Sequence, residues 1–289
     1  MSGFDSRDIY AFLMRVGELL HQHGTPSHRL ERVMSKISKS LKIESVFLYT
    51  PTSLIASFGR SPNEQTLMRR VDSGTVDADK LIRFDEILEE LEAGALSVSQ
   101  AAEKLEQAAA APPLYSTWLT ALACGVGCAT VAVFFGGSSI EVSVAGFIGV
   151  VIAILEVLQS KFAIERGLIF PVSGFVAAMA SLAFARWVCP IDDRLVTLAS
   201  LVILLPGFVF TTALTELAVG HLSAGAARLA GACATLLTLF LGVAIAWKIG
   251  EHWRALPLSI ETLSLGYQWI AIAIAPAAFA VLFRVRVSR

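Results

Sequence analysis

The chain has 289 residues, of which 55% are hydrophobic and 16% charged, with a formal net charge of −1. Soluble globular proteins are roughly 25% charged, so this composition argues against an ordinary soluble enzyme and a disordered chain, and a near-neutral balance offers no field for a nucleic acid. The charge is also uneven. Residues 1–112 hold 13 of the 23 Lys and Arg and 16 of the 24 Asp and Glu, which reads as a water-soluble domain, 1–112, followed by a membrane domain, 113–289.

The start, Met1 to Asp8, is polar and no apolar stretch follows it. It does not read as a signal peptide, so the soluble domain is expected in the cytoplasm. Arg7–Gln22 and Ser27–Leu41 read as amphipathic helices separated by His23-Gly24-Thr25-Pro26, with Ser27 the expected N-cap. Leu30, Val33, Ile37 and Leu41 make the apolar stripe of the second helix. Ser45–Tyr49 and Ser53–Phe58, split by Thr50-Pro51-Thr52, read as a hairpin, and Thr66–Val71 as a third strand. Asp77–Ala93 and Ser97–Ala110 are again helices, the second opened by Ser97 with Gln100 three residues on. Ala108–Pro113 is a linker. The domain holds no phosphate loop, dinucleotide fingerprint or zinc spacing. His21, His23 and His28 cluster at the first helix break. A metal or acid–base role is one reading, and a solvated loop is the plainer one. Glu31 reads as an ion-pair partner of its neighbours or as a chemical group.

Six stretches beyond residue 113 approach the ~20 apolar residues a bilayer core needs: Ser116–Phe135, Val142–Leu158 with Glu156, Leu168–Ile191 with Arg186, Leu195–Val219 with Glu216, Ala226–Trp247 with Arg228 at its edge, and Thr262–Phe283. They are continuous apolar runs and not alternating strands, so a barrel is excluded. Gly136-Gly137-Ser138-Ser139 and Gly220-His221-Leu222-Ser223 read as tight turns between antiparallel helices. The expected fold class is an α-helical polytopic membrane protein of about six transmembrane helices with a small N-terminal α+β domain. Lys161, Arg166, Arg228, Arg284, Arg286 and Arg289 on one side against Arg186, Arg194, Lys248 and Arg254 on the other favour cytoplasmic N- and C-termini. Cys124, Cys128, Cys189 and Cys233 read as packing residues, and no metal or disulfide framework is expected. Gly125 with Gly127 and Ala121, Gly146 with Gly149, Ala177 with Ser181, and Gly231 with Ala227 are spaced for close helix packing.

Gly24-Thr25-Pro26-Ser27-His28-Arg29-Leu30-Glu31, followed by Val46-Phe47-Leu48-Tyr49-Thr50-Pro51-Thr52-Ser53, resembles the N-terminal region of the threonine/serine exporter family. So do Arg69-Arg70-Val71 and Asp79-Lys80-Leu81. Phe134-Phe135-Gly136-Gly137-Ser138 is similar to that family's turn after its first membrane helix. The fullest match is Leu205-Pro206-Gly207-Phe208-Val209-Phe210-Thr211-Thr212-Ala213-Leu214-Thr215-Glu216, continuing to Gly220-His221 and Gly225. Thr212 stands where family members usually carry Asn. The strings together cover about residues 10–285. The resemblance implies a secondary transporter in the cytoplasmic (inner) membrane that exports threonine or serine on an ion gradient, without a cofactor. The family's unit has about ten spans, so a chain with six implies an early end, a homo-oligomer or a small partner subunit.

The polar residues of the spans can be read without the family. A carboxylate within a span is costly and normally faces a cavity or a partner, which singles out Glu216 and Glu156 as proton-coupling candidates. Pro206-Gly207 lies halfway along its span, where a proline removes a donor and frees a carbonyl. A broken helix is where transporters hold solutes. Pro206, Gly207, Thr211 and Thr212 are therefore the substrate-binding candidates for a zwitterionic amino acid. Pro171, Ser173 and Gly174 suggest a second break, Pro276 a kink, and Arg186 and Arg228 anchors or ion-pair partners. The alternative is a membrane-anchored hydrolase or a regulatory subunit acting through the N-terminal domain. In that reading Ser27, His28 and Glu31 are the compact candidates.

Overall fold

The computed structural model describes residues 6–60, 62–72, 74–162, 165–253 and 263–286. Met1 to Asp5, Arg254, Thr262 and Arg289, which entered the sequence reading, lie outside the described residues. The chain forms two compact units. The first gathers Met1–Leu114, Phe208–Ala230 and Phe283–Arg289; the second gathers Tyr115–Gly207 and Gly231–Leu282.

In the first unit the amphipathic patterns fold much as expected. The elements are α1 (Ser6–Gln22), α2 (Ser27–Ser40), β1 (Ser45–Thr50), β2 (Ser53–Phe58), β3 (Gln65–Arg70), α3 (Ala78–Glu92) and α4 (Val98–Ala110). The strands form one antiparallel sheet in the order β1-β2-β3, with Leu48 opposite Ile55 and Ile55 opposite Met68. Alternation puts Phe47 and Tyr49 of β1 and Leu54, Ala56 and Phe58 of β2 on the inner face. There they meet Leu13 and Leu19 of α1, Leu30, Met34 and Ile37 of α2, Phe84 of α3 and Leu105 of α4. Burying each of these large side chains is worth roughly 1.5–3 kcal/mol. α4 opens on the capping box of Ser97 and Gln100. α3 is capped twice: Asp77 accepts from the Lys80 N–H, and the carbonyls of Phe283 and Arg284 accept from the Ala78 and Asp79 N–H groups. Arg284 also donates to Asp77 at 2.6 Å.

The unit is completed by α9 (Gly207–Ala218) and the first turns of α10 (Leu222–Ile249). Gly220 makes the turn between them at φ +91°. That conformation suits glycine, and it lets the His221 N–H return to the Glu216 carbonyl at 2.8 Å.

The second unit holds α5 (Thr117–Phe134), α6 (Ser139–Lys161), α7 (Arg166–Trp187), α8 (Asp193–Leu201), most of α10, and α11 (Leu265–Leu282). Among the described residues, five helices are long and apolar enough to cross a membrane: α5, α6, α7, α10 and α11. They become six if α8 and α9 are taken as one interrupted span. The chain is thus a helical multi-pass membrane protein with a small three-stranded sheet near its N-terminus. Trp118, Leu122, Phe147, Leu237 and Trp269 are exposed on these helices, as a lipid-facing surface requires.

Small residues set the spacing. α5 and α6 cross where a Cβ on Gly125 would lie 2.8 Å from the Gly146 carbonyl. α7 and α10 cross more tightly still: a Cβ on Gly174 would lie 2.2 Å from the Leu239 carbonyl, and one on Gly242 1.9 Å from that of Pro171. Two expectations fail here. Among the described residues nothing lies within 4 Å of a Cβ on Gly231, so its pairing with Ala227 makes no packing contact there. α7 runs unbroken through Pro171 and Gly174, because Pro171 falls in the first two turns and Gly174 serves the approach to α10. α11 holds Pro276 inside one helix, which does not exclude the kink expected there.

Candidate functional site

The fourth apolar stretch is interrupted at its middle. α8 ends at Leu201, Val202–Leu204 form a single 3-10 turn, Leu205 is extended at φ −65° and ψ 127°, and α9 begins at Gly207. The cause is Pro206, whose ring excludes the helical conformation from the residue before it. The helix restarted by this break carries Thr212, Ala213 and Glu216 on its buried face, with Glu216 entirely inaccessible. Gly225 permits the approach of α10: a Cβ there would lie 2.8 Å from the Ala213 carbonyl. Arg228, one turn further on, thereby reaches Glu216.

The Glu216 carboxylate is held from two sides. Oε1 accepts the backbone N–H of Ser27 at 2.8 Å and Arg228 Nε at 3.2 Å, while Oε2 lies 3.0 Å from the same Nε and accepts no hydrogen bond. The Ser27 contact differs from the expected local cap. Pro26 occupies the N-cap of α2, no side chain caps the helix, and Ser27 is its first residue. A carboxylate 189 residues away takes the place of the capping side chain, where the helix dipole favours negative charge. The Ser27 hydroxyl, fully buried, makes no hydrogen bond among the described residues.

The three histidines of the first helix break are not a solvated loop. His21 is 2% exposed and donates from Nε2 to the Pro51 carbonyl at 3.0 Å. Burial pushes its pKa down, Arg228 adding to that effect while Pro51 and Glu216 oppose it. His23 bonds the Leu19 carbonyl at 2.8 Å, packs edge-on against Phe84, and is likewise pushed down by burial. The His28 ring lies 6.3 Å from that of His221, whose Nδ1 is 3.6 Å from Glu31 Oε1. Glu31 therefore faces the α9–α10 turn and not a neighbour on its own helix. Tyr49 is buried in the same unit without a partner for its hydroxyl, which burial and the Glu31 charge push upward in pKa. The first unit thus brings Ser27, Glu216 and Arg228 into direct contact.

The remaining candidates fall elsewhere. Pro206 and Gly207 form the break itself, in the second unit. Thr211 is exposed, and Thr212, one position on, is 6% exposed and faces inward with Glu216. Glu156 lies on the exposed face of α6 in the second unit, without an ion pair or hydrogen bond among the described residues. Arg228 is an ion-pair partner, one of the two roles its sequence position offered, and it reaches Glu216 from twelve residues further on across a glycine turn. One carboxylate role escaped the sequence reading. Glu141 is 3% exposed and closes a capping box with Ser138 while accepting the Asp192 N–H at 2.7 Å; the Ser-x-x-Glu spacing marked it.

The family described as "Putative threonine/serine exporter" matches residues 11–250. A pheromone-regulated membrane protein 10 of Pichia sorbitophila is 28% identical over 243 residues, covering 81% of this chain and 24% of the relative. An uncharacterized protein of Schizosaccharomyces pombe is 27% identical over 241 residues, covering 81% and 32%. A pheromone-regulated membrane protein 10 of Saccharomyces cerevisiae is 28% identical over 243 residues, covering 82% and 31%. The chain spans about a quarter to a third of the length of these curated relatives. No solved structure matches it. The matched profile covers the strings at Gly24–Glu31 and Leu205–Glu216 that meet around the Glu216 carboxylate, and on that match the chain belongs to the threonine/serine exporter family.

Proposed function

We propose that the chain is a secondary active transporter, or one subunit of it, that exports small amino acids of the threonine and serine type from the cytoplasm by proton antiport. It works in the cytoplasmic membrane with its N-terminal segment in the cytoplasm, together with a small membrane subunit that supplies further spans. No enzymatic step is assigned to it. The observation that carries this reading is Glu216: a wholly buried carboxylate on a helix restarted by a proline break, paired to a single arginine. An ionisable group so placed is a natural proton carrier. Pro206 and Gly207 open the backbone, Thr211 and Thr212 supply hydroxyls, and Glu156 is a second carboxylate for protons.

A regulatory role for the N-terminal segment is the second reading, favoured by the Ser27 N–H on Glu216. The hydrolase alternative is not favoured, since among the described residues Ser27 Oγ makes no hydrogen bond to a base. The test is efflux of radiolabelled threonine from vesicles under an imposed pH gradient, with the chain alone and with a candidate partner subunit. Gradient-dependent efflux lost in Glu216→Gln is the expected result. Absence of such efflux in both preparations, or full efflux in the variant, overturns the assignment.

A further inference from the structure

We infer that Arg228 and Glu216, with the hydroxyls of Thr212 and Ser27, form the recognition site for the zwitterionic head of the exported amino acid. The inference rests on the transport reading above and names the groups that read the substrate. Arg228 engages Glu216 only through Nε. A guanidinium serving a purely structural pair commonly spends its paired donors on both carboxylate oxygens. Here the two terminal nitrogens make no hydrogen bond among the described residues, although the side chain is only 12% exposed. Four N–H donors remain, in the planar arrangement that matches a carboxylate. Glu216 Oε2 accepts no hydrogen bond among the described residues either.

Two hydroxyls beside this pair are also unspent. Thr215, Thr235 and Thr238 donate back to carbonyls of their own helices, at Thr211, Gly231 and Ala234. The Thr212 hydroxyl does not, and makes no hydrogen bond among the described residues although the residue is 6% exposed. It lies one turn before Glu216 on the same buried face. Ser27, whose N–H is on Glu216, is wholly buried with its hydroxyl unpartnered. Of these groups, Glu216 Oε2 and the Ser27 hydroxyl are buried without a hydrogen bond among the described residues, which is destabilising unless something else meets them. A 2-amino-3-hydroxy acid offers a partner to each group of the set: its carboxylate to the Arg228 terminal nitrogens, its ammonium to Oε2, its hydroxyl to Thr212 or Ser27.

The same arrangement couples substrate to proton. The substrate ammonium and a proton compete for one carboxylate, so the two travel in opposite directions. Of the other ionisable groups in this unit, His21 of α1 feels the charges of both Arg228 and Glu216, and His221 of the α9–α10 turn lies beside Glu31 and His28 of α2.

The experiment is equilibrium binding of labelled L-threonine to the purified full-length chain in nanodiscs. Competitors are threonine amide, 3-hydroxybutyrate and 2-aminobutyrate, which lack the carboxylate, the ammonium and the hydroxyl in turn. Each is expected to bind the wild type roughly 10–100-fold more weakly than threonine. Arg228→Gln is expected to weaken threonine by a similar factor while barely changing the amide, with Arg228→Lys intermediate. Thr212→Val narrows the discrimination against 2-aminobutyrate. Arg228→Gln that elutes as a monodisperse, folded species and binds threonine like the wild type overturns the inference, as does wild type that binds the amide as tightly as the acid. Wild type that binds no amino acid, either alone or together with a candidate partner subunit, removes the transport reading and this one together.

Discussion

Glu216 and Arg228 form a pair whose separation should be costly in either direction. Both charges are withdrawn from water, and removing one leaves the other unpaired, a loss of about 3–5 kcal/mol. Glu216→Gln keeps an acceptor for the Ser27 N–H but loses the charge facing Arg228. Arg228→Met strands the carboxylate. Each variant is expected to unfold at markedly lower denaturant, and the double variant to be less destabilised than the sum by about 1–3 kcal/mol. Chemical unfolding of the four proteins in one detergent checks this, and strict additivity would show that the pair is not coupled. Much of this residue-level picture was legible: a carboxylate within an apolar run had to be matched, and Thr212 sits on its face by helical spacing. The Ser27 contact was not. A helix start preceded by Thr25-Pro26 reads as locally capped, and no local pattern announces that the acceptor comes from 189 positions away.

Helix boundaries follow the hydrophobic period closely, because amphipathic and apolar runs end where glycine, proline and capping serines stand. Periodicity says less about how near two helices come. The crossing of α7 and α10 shows the difference, since Gly174 looked like part of a break and is instead a contact surface. Gly174→Ala and Gly242→Ala place a methyl group against backbone, which cannot yield as a flexible side chain does. Overpacking of this kind costs about 1–3 kcal/mol or more. Gly231→Ala, in the same α10 but open to 4 Å, should stabilise by up to about 1 kcal/mol through helix propensity alone. Thermal unfolding of the three variants separates the two cases. Equal melting temperatures for Gly174→Ala and Gly231→Ala would mean that α7 and α10 do not pack this closely.

On the scale of the molecule, charge asymmetry divides the chain near residue 112, and the first unit takes in residues 208–230 and 283–289 besides the charged N-terminal part. That grouping depends on contacts such as Ser27 with Glu216 and Asp77 with Arg284, which composition does not encode. It has a consequence for pH. His21 and His23 are both held below the ordinary histidine value by burial. Above about pH 6.5 folded and unfolded chains alike keep these rings neutral, so they contribute no pH dependence. As pH falls through 6.5 the unfolded chain binds protons that the folded chain refuses, and stability declines. Asp85, pushed up by burial, works partly against this by accepting a proton more readily when folded. Glu18 is held down by Arg69 and Arg15 against its own burial, and Glu106 by Arg15; their stabilisation is lost only below the carboxylate range. The melting temperature should therefore fall between pH 7.5 and 5.5 in the wild type and fall less steeply in a His21→Gln, His23→Gln double variant. An identical slope in the two proteins would show that these rings take up protons within the fold and that their contacts with Pro51 and Phe84 do not hold them neutral.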